Sequence, residues 1–452
     1  MISKALFFVN TYIVSPALPV TIFAAGLYYI FRLKAFIFFH PVKIIKSFFT
    51  SDGKDGISPF RAVTLALAGT LGVGNIVGVA SAISIGGPGA VFWMWVSSVA
   101  SMFIKYVETL VAMMHRKREG NIYHGGAYYY IKNAFVAGLF AVLCLIASFL
   151  LGNLIQIRAL ADSAMTVFKI PAWSIAIFAA IFCLIVTVGG VKRISALTVR
   201  MIPALAFVYI AISMYIICKN FDQIPHVITL ILGDAFGIDK MAAGTSGFII
   251  SKAIRYGISR GLVSNEAGCG TAPIAHAASQ SQNPVRQGFW GIFEVFCDTV
   301  LLCSMTAFCV LFAYGTPAHD TQNGMIYVLN AYEMLAGKGA SYIIGISVCL
   351  FAVATVLCWA HYGSECIYYL TGKFTRKTFR TINNAYLILY SITAAAGAFV
   401  NAEAAWTYTE LIIGIMTIIN TIYIFRLSNK VTQTTNTYFG REVRGRGDAQ
   451  TF

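Results

Sequence analysis

Apolar runs of similar length recur along the 452-residue chain and are separated by shorter polar stretches. About 20 predominantly apolar residues are enough for a helix to cross a bilayer. The runs therefore predict an all-α polytopic membrane protein with about eleven spans. These spans are expected at 13–31, 62–86, 90–114, 134–160, 173–190, 197–217, 245–275, 287–312, 341–370, 383–400 and 403–425.

The polar stretches divide the chain into five predicted parts. Spans two to six and spans seven to eleven form two sets of five, and sets with an odd number of spans must have opposite orientations. Since the two sets share no convincing identity, topology alone predicts this 5+5 inverted repeat. The parts are 1–61 (first span and an amphipathic surface helix), 62–217 (first repeat), 218–244 (external loop), 245–425 (second repeat, with an external loop at 313–340) and 426–452 (a basic, largely disordered cytoplasmic tail).

The second span is interrupted by glycines. Glycine in a helix interior costs about 1 kcal/mol relative to alanine, so this density predicts a broken helix. Within a bilayer, unwound backbone is tolerated only where it is buried in protein or lines a cavity. Close helix packing is the alternative, but packing alone does not require the polar Asn75. The interrupted stretch holds Gly69, Gly72, Gly74 and Gly78, with Thr70 and Asn75 between them.

The second set of spans opens with another glycine-containing run. Gly257 and Gly261 lie in the middle of the span 245–275, which predicts a second break at 254–261. Two broken helices at corresponding positions of inverted halves indicate the binding site of a secondary transporter.

Composition and charge agree with a membrane protein. The chain is 58% hydrophobic and 11% charged, whereas soluble domains have about 25% charged residues. Its net charge of +15 is distributed unevenly: 24 of the 33 lysines and arginines lie on one side of the predicted spans and six on the other. This bias predicts an external N-terminus, a cytoplasmic C-terminus and attraction to anionic lipid, with no nucleic-acid partner. The ten cysteines form no CxxC pair, and almost all of them fall in apolar runs, where they are expected to be small buried hydrophobic residues and not parts of a disulfide or zinc framework.

Three long motifs resemble those of the alanine or glycine:cation symporter family, also called the sodium:alanine symporters. They read GTLGVGNIVGVA at 69–80, GGPGAVFWMW at 86–95 and RGLVSNEAGCGTAPIAH at 260–276. Gly125-Gly126 with Tyr128–Tyr130, the stretch 152–156 and Asp298-Thr299 fit the same family. The resemblance implies sodium-coupled uptake of a small neutral amino acid, alanine or glycine, across the plasma membrane on the fold of the bacterial leucine transporter.

The resemblance also implies a set of site residues. Amides near the first break would hold the substrate carboxylate, and backbone carbonyls would face a sodium ion, since hard cations take oxygen ligands. Helix packing for Asn75, an interhelical hydrogen bond for Gln156 and simple packing for Trp359 are the alternatives. The implied substrate residues are Thr70, Gly72, Gly74, Asn75, Gln156, Thr355 and Trp359, and the implied sodium ligands are Ala68, Leu71 and Thr355.

The ninth span departs from the family pattern. Ala354 and Cys358 stand where the family usually has serine and glycine, and His361 stands where it has a tyrosine. Loss of the serine hydroxyl removes one candidate sodium ligand. We therefore expect weaker sodium binding, and the main rival hypothesis is proton coupling through His361 on the same fold.

Ionisable residues within the spans are functional candidates by default. An intramembrane enzyme would use Asp162, Asp298 or a histidine. Arg260 and Glu266 are either a gate pair or, equally, a snorkelling arginine and a helix-capping glutamate. His276 is a proton relay or a satisfied polar group. A channel is a third class of protein that the spans allow. The sequence contains no nucleotide-binding, zinc-protease or serine-hydrolase motif, so neither an enzyme nor a cofactor other than sodium is expected, and the oligomeric state is not predicted.

Overall fold

Helices dominate the computed structural model, which describes residues 8–49, 56–187, 190–237, 246–319, 321, 323–372 and 374–440. In the part of the chain so described, length and composition select six helices able to cross a membrane, or seven if one bent pair counts as a single span. Helical segments lie at the positions of all eleven predicted spans. The all-α membrane fold is therefore confirmed, while the count of eleven spans stays a prediction.

The first half of the chain contains the helices of the predicted first repeat and a short hairpin. The strands β1 (Lys117–Glu119) and β2 (Ile122–His124) pair antiparallel, with Lys117 opposite His124. The helices are α1 (Ser15–Arg32), α2 (Phe36–Phe39), α3 (Pro41–Ser47), α4 (Pro59–Thr70), α5 (Val77–Gly86), α6 (Gly89–His115), α7 (Ala127–Tyr130), α8 (Ala134–Phe149), α9 (Ile155–Phe168), α10 (Ala172–Thr187) and α11 (Gly190–Lys219).

The second half of the chain begins with a helix in the predicted external loop. Several helices in both halves begin at an asparagine whose side chain accepts first-turn amides, as Asn283 does for Val285 and Arg286. The helices are α12 (Ile224–Phe236), α13 (Ser246–Asn265), α14 (Ala272–Ala277), α15 (Pro284–Val295), α16 (Ser304–Phe312), α17 (Gly324–Ala336), α18 (Lys338–Leu370), α19 (Arg376–Gly397), α20 (Ala402–Arg426) and α21 (Ser428–Tyr438).

The first predicted break is present. Helices α4 and α5 meet at an angle of 62°, and a 3₁₀ turn, Val73–Asn75, lies between them. The helix ends at Thr70, within the glycine-rich stretch that predicted the break. From Leu71 to Ile76 every residue is buried except Gly74, which is partly buried, so protein encloses the unwound backbone.

The second break exists, but its predicted position at 254–261 is wrong. Helix α13 continues through that stretch, and the break lies at Glu266–Thr271. Glu266, Gly268 and Gly270 have φ angles of +52°, +80° and +76°, which an α-helix cannot accommodate. Gly257 instead serves packing, because a Cβ there would lie 2.2 Å from the Ala90 carbonyl oxygen of α6.

Several loop predictions need correction. The tail is helical at Ser428–Tyr438, so it is not largely disordered there, because Val431 and Thr435 are buried. The expected single surface helix is two short helices, α2 and α3. The expected loops at 218–244 and 313–340 contain the helices α12 and α17. The predicted tail beyond Gly440 lies outside the described residues.

Helices α6 and α18 form the centre of the bundle. In each of these helices, 72% of the most apolar 18-residue stretch is buried inside the protein. The corresponding share is 22% for α11, which lies at the periphery. Helix α6 packs against α13 and α15, and α18 packs against α9 and α11. Two π-helical segments, Leu150–Leu154 and Phe296–Cys303, lie between packed helices and turn polar side chains inward. Such insertions are frequent at functional sites.

The packing of α13 on α6 predicts a cost for added volume at Gly257. We expect Gly257→Ala to lower the free energy of unfolding by about 1–3 kcal/mol, because its Cβ overlaps backbone atoms that cannot move aside. The measurement is the thermal unfolding midpoint of the purified protein in detergent. Gly138→Ala in α8 is the control, since a Cβ there meets no other atom within 4 Å. Equal midpoints for both variants would contradict this packing.

Candidate functional site

Three of the predicted site residues meet at the first break. The backbone amide of Val73 donates to Gln156 Oε1 at 3.3 Å. A Cβ at Gly72 would lie 2.8 Å from Thr355 Oγ1 and 3.0 Å from Gln156 Oε1, so only glycine fits here. Gln156 Nε2 donates to the Leu151 carbonyl, in the π-helical segment before α9. The unwound backbone therefore faces polar side chains of α9 and α18.

Asn75 connects the backbone of the first break to its neighbours through hydrogen bonds. Its Oδ1 accepts a hydrogen bond from the Gly72 amide at 3.1 Å, and its Nδ2 donates to Asp298 Oδ1 at 2.6 Å. The Asn75 carbonyl accepts from the Thr306 hydroxyl at 2.8 Å. The Gly72 amide, expected to face a substrate carboxylate, is thus paired within the protein. A direct substrate contact by Asn75 remains a prediction.

Asp298 is a buried carboxylate that the sequence did not predict to lie at the first break. It accepts hydrogen bonds from Asn75, from Ser264 Oγ at 3.0 Å and from Thr299 Oγ1 at 2.8 Å. Ser264 lies near the end of α13, and Asp298 lies in the π-helical segment after α15. These bonds tie the first break to both helices. The periodicity of the sequence could not predict these hydrogen bonds, because a π-helical insertion changes which residues share a face of the helix.

The predicted sodium ligands have a geometry that fits an ion. Leu71 O and Thr355 Oγ1 are 3.5 Å apart. Two oxygens about 2.4 Å from a shared cation, as for calcium, lie about 3.4 Å apart when they subtend a right angle. Ala68 is buried on α4, one turn before the break, and Ala354 is buried but offers no side-chain oxygen. The residues present fit a site with few side-chain ligands.

Trp359 is fully buried beside the π-helical segment that precedes α9. A Cβ at Gly152 would lie 2.2 Å from Trp359 Cβ, and the indole ring makes an edge contact with Tyr362 at 5.4 Å. The Trp359 Nε1 has no hydrogen-bond partner among the described residues. A buried N–H without a hydrogen-bond partner destabilises a protein by about 1–3 kcal/mol. The Trp359 N–H is therefore available to donate to an acceptor on a bound ligand.

Two more of the predicted substrate residues are placed differently. The Thr70 hydroxyl donates to the Ala66 carbonyl of its own helix at 3.3 Å. Gly74 lies against the end of α13, because a Cβ there would be 3.4 Å from Ser264 Cα. The structure therefore does not place either residue in the group formed by Gly72, Gln156 and Thr355.

The ionisable candidates have specific partners. Arg260 pairs with Glu410 at 3.4 Å, so the predicted gate pair with Glu266 is wrong. His276 contacts Glu294 and Gln287 and is fully buried, as expected for a satisfied polar group. Asp162 pairs with Arg158 at 2.8 Å.

A cavity of about 580 Å³ opens at the predicted cytoplasmic ends of α18 and α19, beside the hairpin. His124 of β2 lies 2.9 Å from Glu365 Oε2 there. Burial lowers the pKa of His124, but its hydrogen bond to Glu365 and the negative charges of Glu365 and Glu119 raise it further, so the net pKa is above the ordinary value. His361 also lines this cavity, and its Nε2 has no hydrogen-bond partner among the described residues.

Comparison with solved structures supports the fold alone. The transporter MhsT, crystallised with L-phenylalanine, matches with a TM-score of 0.56 and 13% identity, over 86% of this chain and 99% of that chain. A sodium-coupled sialic acid symporter in a substrate-bound outward-open state matches with a TM-score of 0.56 and 13% identity, over 94% of this chain and 87% of that chain. Both have the fold of the bacterial leucine transporter.

Relatives of known sequence are similar over nearly the full chain. A sodium/alanine symporter of Methanococcus maripaludis is 32% identical, with 96% of each chain covered. A probable sodium/glutamine symporter of Bacillus subtilis is 32% identical over 97% of this chain and 91% of that protein. An uncharacterized transporter of Haemophilus influenzae is 34% identical over 96% of this chain and 95% of that protein.

The family model described as the sodium:alanine symporter family matches residues 1–451. The motifs around the first break and the second break had indicated the same family, and the match confirms it. The chain is an integral, multi-pass membrane protein and belongs to the sodium:alanine symporter family.

Proposed function

We propose that this chain takes up a small neutral amino acid, alanine or glycine, together with sodium by alternating access around the first break. The observation that carries the proposal is the unpaired Trp359 Nε1, buried near a break whose backbone faces Gln156 and Thr355. A site that lacks an acceptor on the protein is suited to a ligand that brings one, such as an amino acid carboxylate.

The space around the break favours a small substrate. Gly72 and Gly152 each lie so close to the side chains of Gln156, Thr355 or Trp359 that a single added carbon would overlap them. A substrate with a short side chain needs the least rearrangement of these contacts. Alanine and glycine therefore suit the site better than glutamine, which appears in the name of one relative.

Sodium would bind where Leu71 O and Thr355 Oγ1 face each other, with the Ala68 carbonyl as a further ligand. When bound, the ion supplies positive charge that attracts the substrate carboxylate. Thr355 Oγ1 donates to Phe351 O at 3.0 Å, and the hydroxyl keeps this bond while its lone pairs turn to the ion. Thr355 is thus the single side-chain ligand of the proposed site.

The charge distribution supports an external N-terminus and a cytoplasmic C-terminus in the plasma membrane. In this orientation the hairpin, the 580 Å³ cavity and the helix α21 all lie on the cytoplasmic side. The two broken helices cross in opposite directions, as the inverted repeat requires.

Substitution of the pocket side chains should weaken substrate binding. We expect Gln156→Ala, Asn75→Ala and Trp359→Phe each to raise the Kd for alanine roughly tenfold or more, since loss of a buried polar partner costs about 1–3 kcal/mol. Trp359→Phe keeps an aromatic ring and removes the N–H. Binding of labelled alanine to purified protein is the measurement, and Gln223→Ala at an exposed position is the control. Parent-like binding by all three variants would place the substrate site elsewhere.

The proposed sodium site predicts opposite effects for substitutions at two neighbouring positions of α18, Ala354 and Thr355. In proteoliposomes with an imposed sodium gradient, we expect Thr355→Ala to abolish sodium-dependent uptake of alanine, because no side-chain oxygen would remain. Ala354→Ser should strengthen apparent sodium affinity, because it restores a hydroxyl. Uptake by the parent that ignores sodium and follows an imposed proton gradient would contradict the proposal and direct attention to His361.

Orientation is testable with one native and one introduced cysteine. Cys218 is exposed beside the predicted external loop, and Gln433 is exposed on α21. In whole cells, an impermeant maleimide should label Cys218 of the parent. It should not label Gln433→Cys in a Cys218→Ser background until the cells are permeabilised. The opposite pattern would reverse the orientation.

A further inference from the structure

Five titratable side chains meet beside the second break, and the proposed substrate site uses none of them. Lys105 and Glu108 come from α6, Glu266 opens the break, His276 lies on α14 and Glu294 lies on α15. Each is at most 2% exposed. Ionisable groups inside a membrane span are costly unless they have a function or a partner.

The carboxylate of Glu294 has two side-chain partners, the ammonium group of Lys105 and the imidazole of His276. Lys105 Nζ lies 3.2 Å from one of its oxygens, and His276 Nε2 lies 2.9 Å from the other. Gln287 Nε2 lies 2.8 Å from His276 Nδ1. With the amide donating to Nδ1, the neutral imidazole carries its proton on Nε2 and donates it to Glu294. Glu294 is therefore stabilised as a carboxylate.

Glu108 stabilises the backbone of the break. Its Oε2 accepts from the Gly270 amide at 3.2 Å and from Asn420 Nδ2 at 3.0 Å. Its Oε1 lies 3.8 Å from Lys105 Nζ and has no hydrogen bond among the described residues. Lys105 thus forms ion pairs with two carboxylates, and the one with Glu294 is the shorter.

Glu266 differs because it has no ion pair among the described residues. Its Oε2 accepts a hydrogen bond of 2.6 Å from Thr271 Oγ1. Its backbone φ of +52° fixes the side chain inside the bundle at the start of the break. A buried carboxylate with one hydroxyl partner and no cation is stable only when it is neutral.

The balance of charges in the cluster also indicates that Glu266 is neutral. Three carboxyl groups, those of Glu108, Glu266 and Glu294, lie around the single lysine of the cluster, Lys105. The remaining titratable groups that act on Glu266, Glu108 or Lys105 bring no further cation: they are Tyr130, Cys269, Asp298, Cys358 and Tyr362. One oxygen of Glu108 and one of Glu294 already accept hydrogen bonds, so a proton on the third carboxyl group, that of Glu266, is the simplest way to balance the charge.

We propose that Glu266 holds a proton in this structure and releases it when sodium binds at the first break. The sodium part rests on the proposed function. Cys358 and Tyr362, which lie within range of the charge of Glu266, are packed against Gly69 of the first broken helix, 3.2 Å and 3.1 Å from its Cβ position. Positive charge added there acts on Glu266 through a low-dielectric interior and favours its carboxylate form. Sodium entry and proton release are thereby linked.

The proton itself is visible by infrared spectroscopy of the purified full-length protein in detergent. We expect a protonated carboxyl C=O band at neutral pH that shifts in heavy water and that Glu266→Gln removes from the parent spectrum. Glu333→Gln, at an exposed position of α17, is the matched control and should leave the band unchanged. A parent-minus-Glu266→Gln difference spectrum without this band would overturn the proposal, whether or not the protein transports alanine.

The link to sodium is tested in weakly buffered solution with a pH-sensitive dye. Sodium chloride, but not choline chloride, should release protons from the parent and from Glu333→Gln, and Glu266→Gln should lose this release. Apparent sodium affinity should rise with pH in the parent and stay flat in Glu266→Gln. Sodium binding without proton release by the parent, or an undiminished release by Glu266→Gln, would overturn the linkage.

Thermal stability separates this role from a purely structural one. Glu266→Gln mimics the protonated side chain and should keep the parent's unfolding midpoint. Glu294→Gln leaves Lys105 with a weakened partner and should lower the midpoint clearly. A larger loss for Glu266→Gln than for Glu294→Gln would mean that Glu266 is ionised, which contradicts the proposal.

Discussion

Backbone polar groups that lack a helical partner cannot be left in lipid, and this constraint governs both breaks. At the first break, Gln156 accepts from the Val73 amide and Asn75 accepts from the Gly72 amide. At the second break, Glu108 accepts from the Gly270 amide and Asn420 donates to the Gly268 carbonyl. Helices α6, α9 and α20 supply three of these groups, and Asn75 belongs to the first break itself, so the packing of the three helices encloses the unwound backbone.

The two breaks meet this constraint with different chemistry. Amides and hydroxyls surround the first break, and the neighbouring carboxylate, Asp298, is hydrogen-bonded to Asn75, so the charges of a substrate and a cation are still to be supplied. A lysine and three carboxylates surround the second, so charge is already present and protons balance it. Asp298 lies between them, bonded to Asn75 of the first break and to Ser264 at the end of α13. These hydrogen bonds connect the first break with the helix that leads into the second.

The sequence predicted the first break because four glycines in eleven residues have few other uses in a span, whereas Gln156, Thr355 and Trp359 were implied only by the family resemblance. It misplaced the second break because Gly257 serves packing and because Glu266, a residue that rarely adopts positive φ, opens the break. The π-helical segment that carries Asp298 has no sequence signature. The pairing of Lys105 with Glu294 joins residues far apart in the chain, so only the folded structure could reveal it.

The central claim is that the first break binds amino acid and sodium together. Equilibrium binding of labelled alanine to the purified protein, measured across a range of sodium concentrations with choline replacing sodium, tests it most directly. The account predicts that alanine affinity rises with sodium and that Thr355→Ala removes this dependence while leaving weak residual binding. Alanine binding of equal affinity with and without sodium would contradict it.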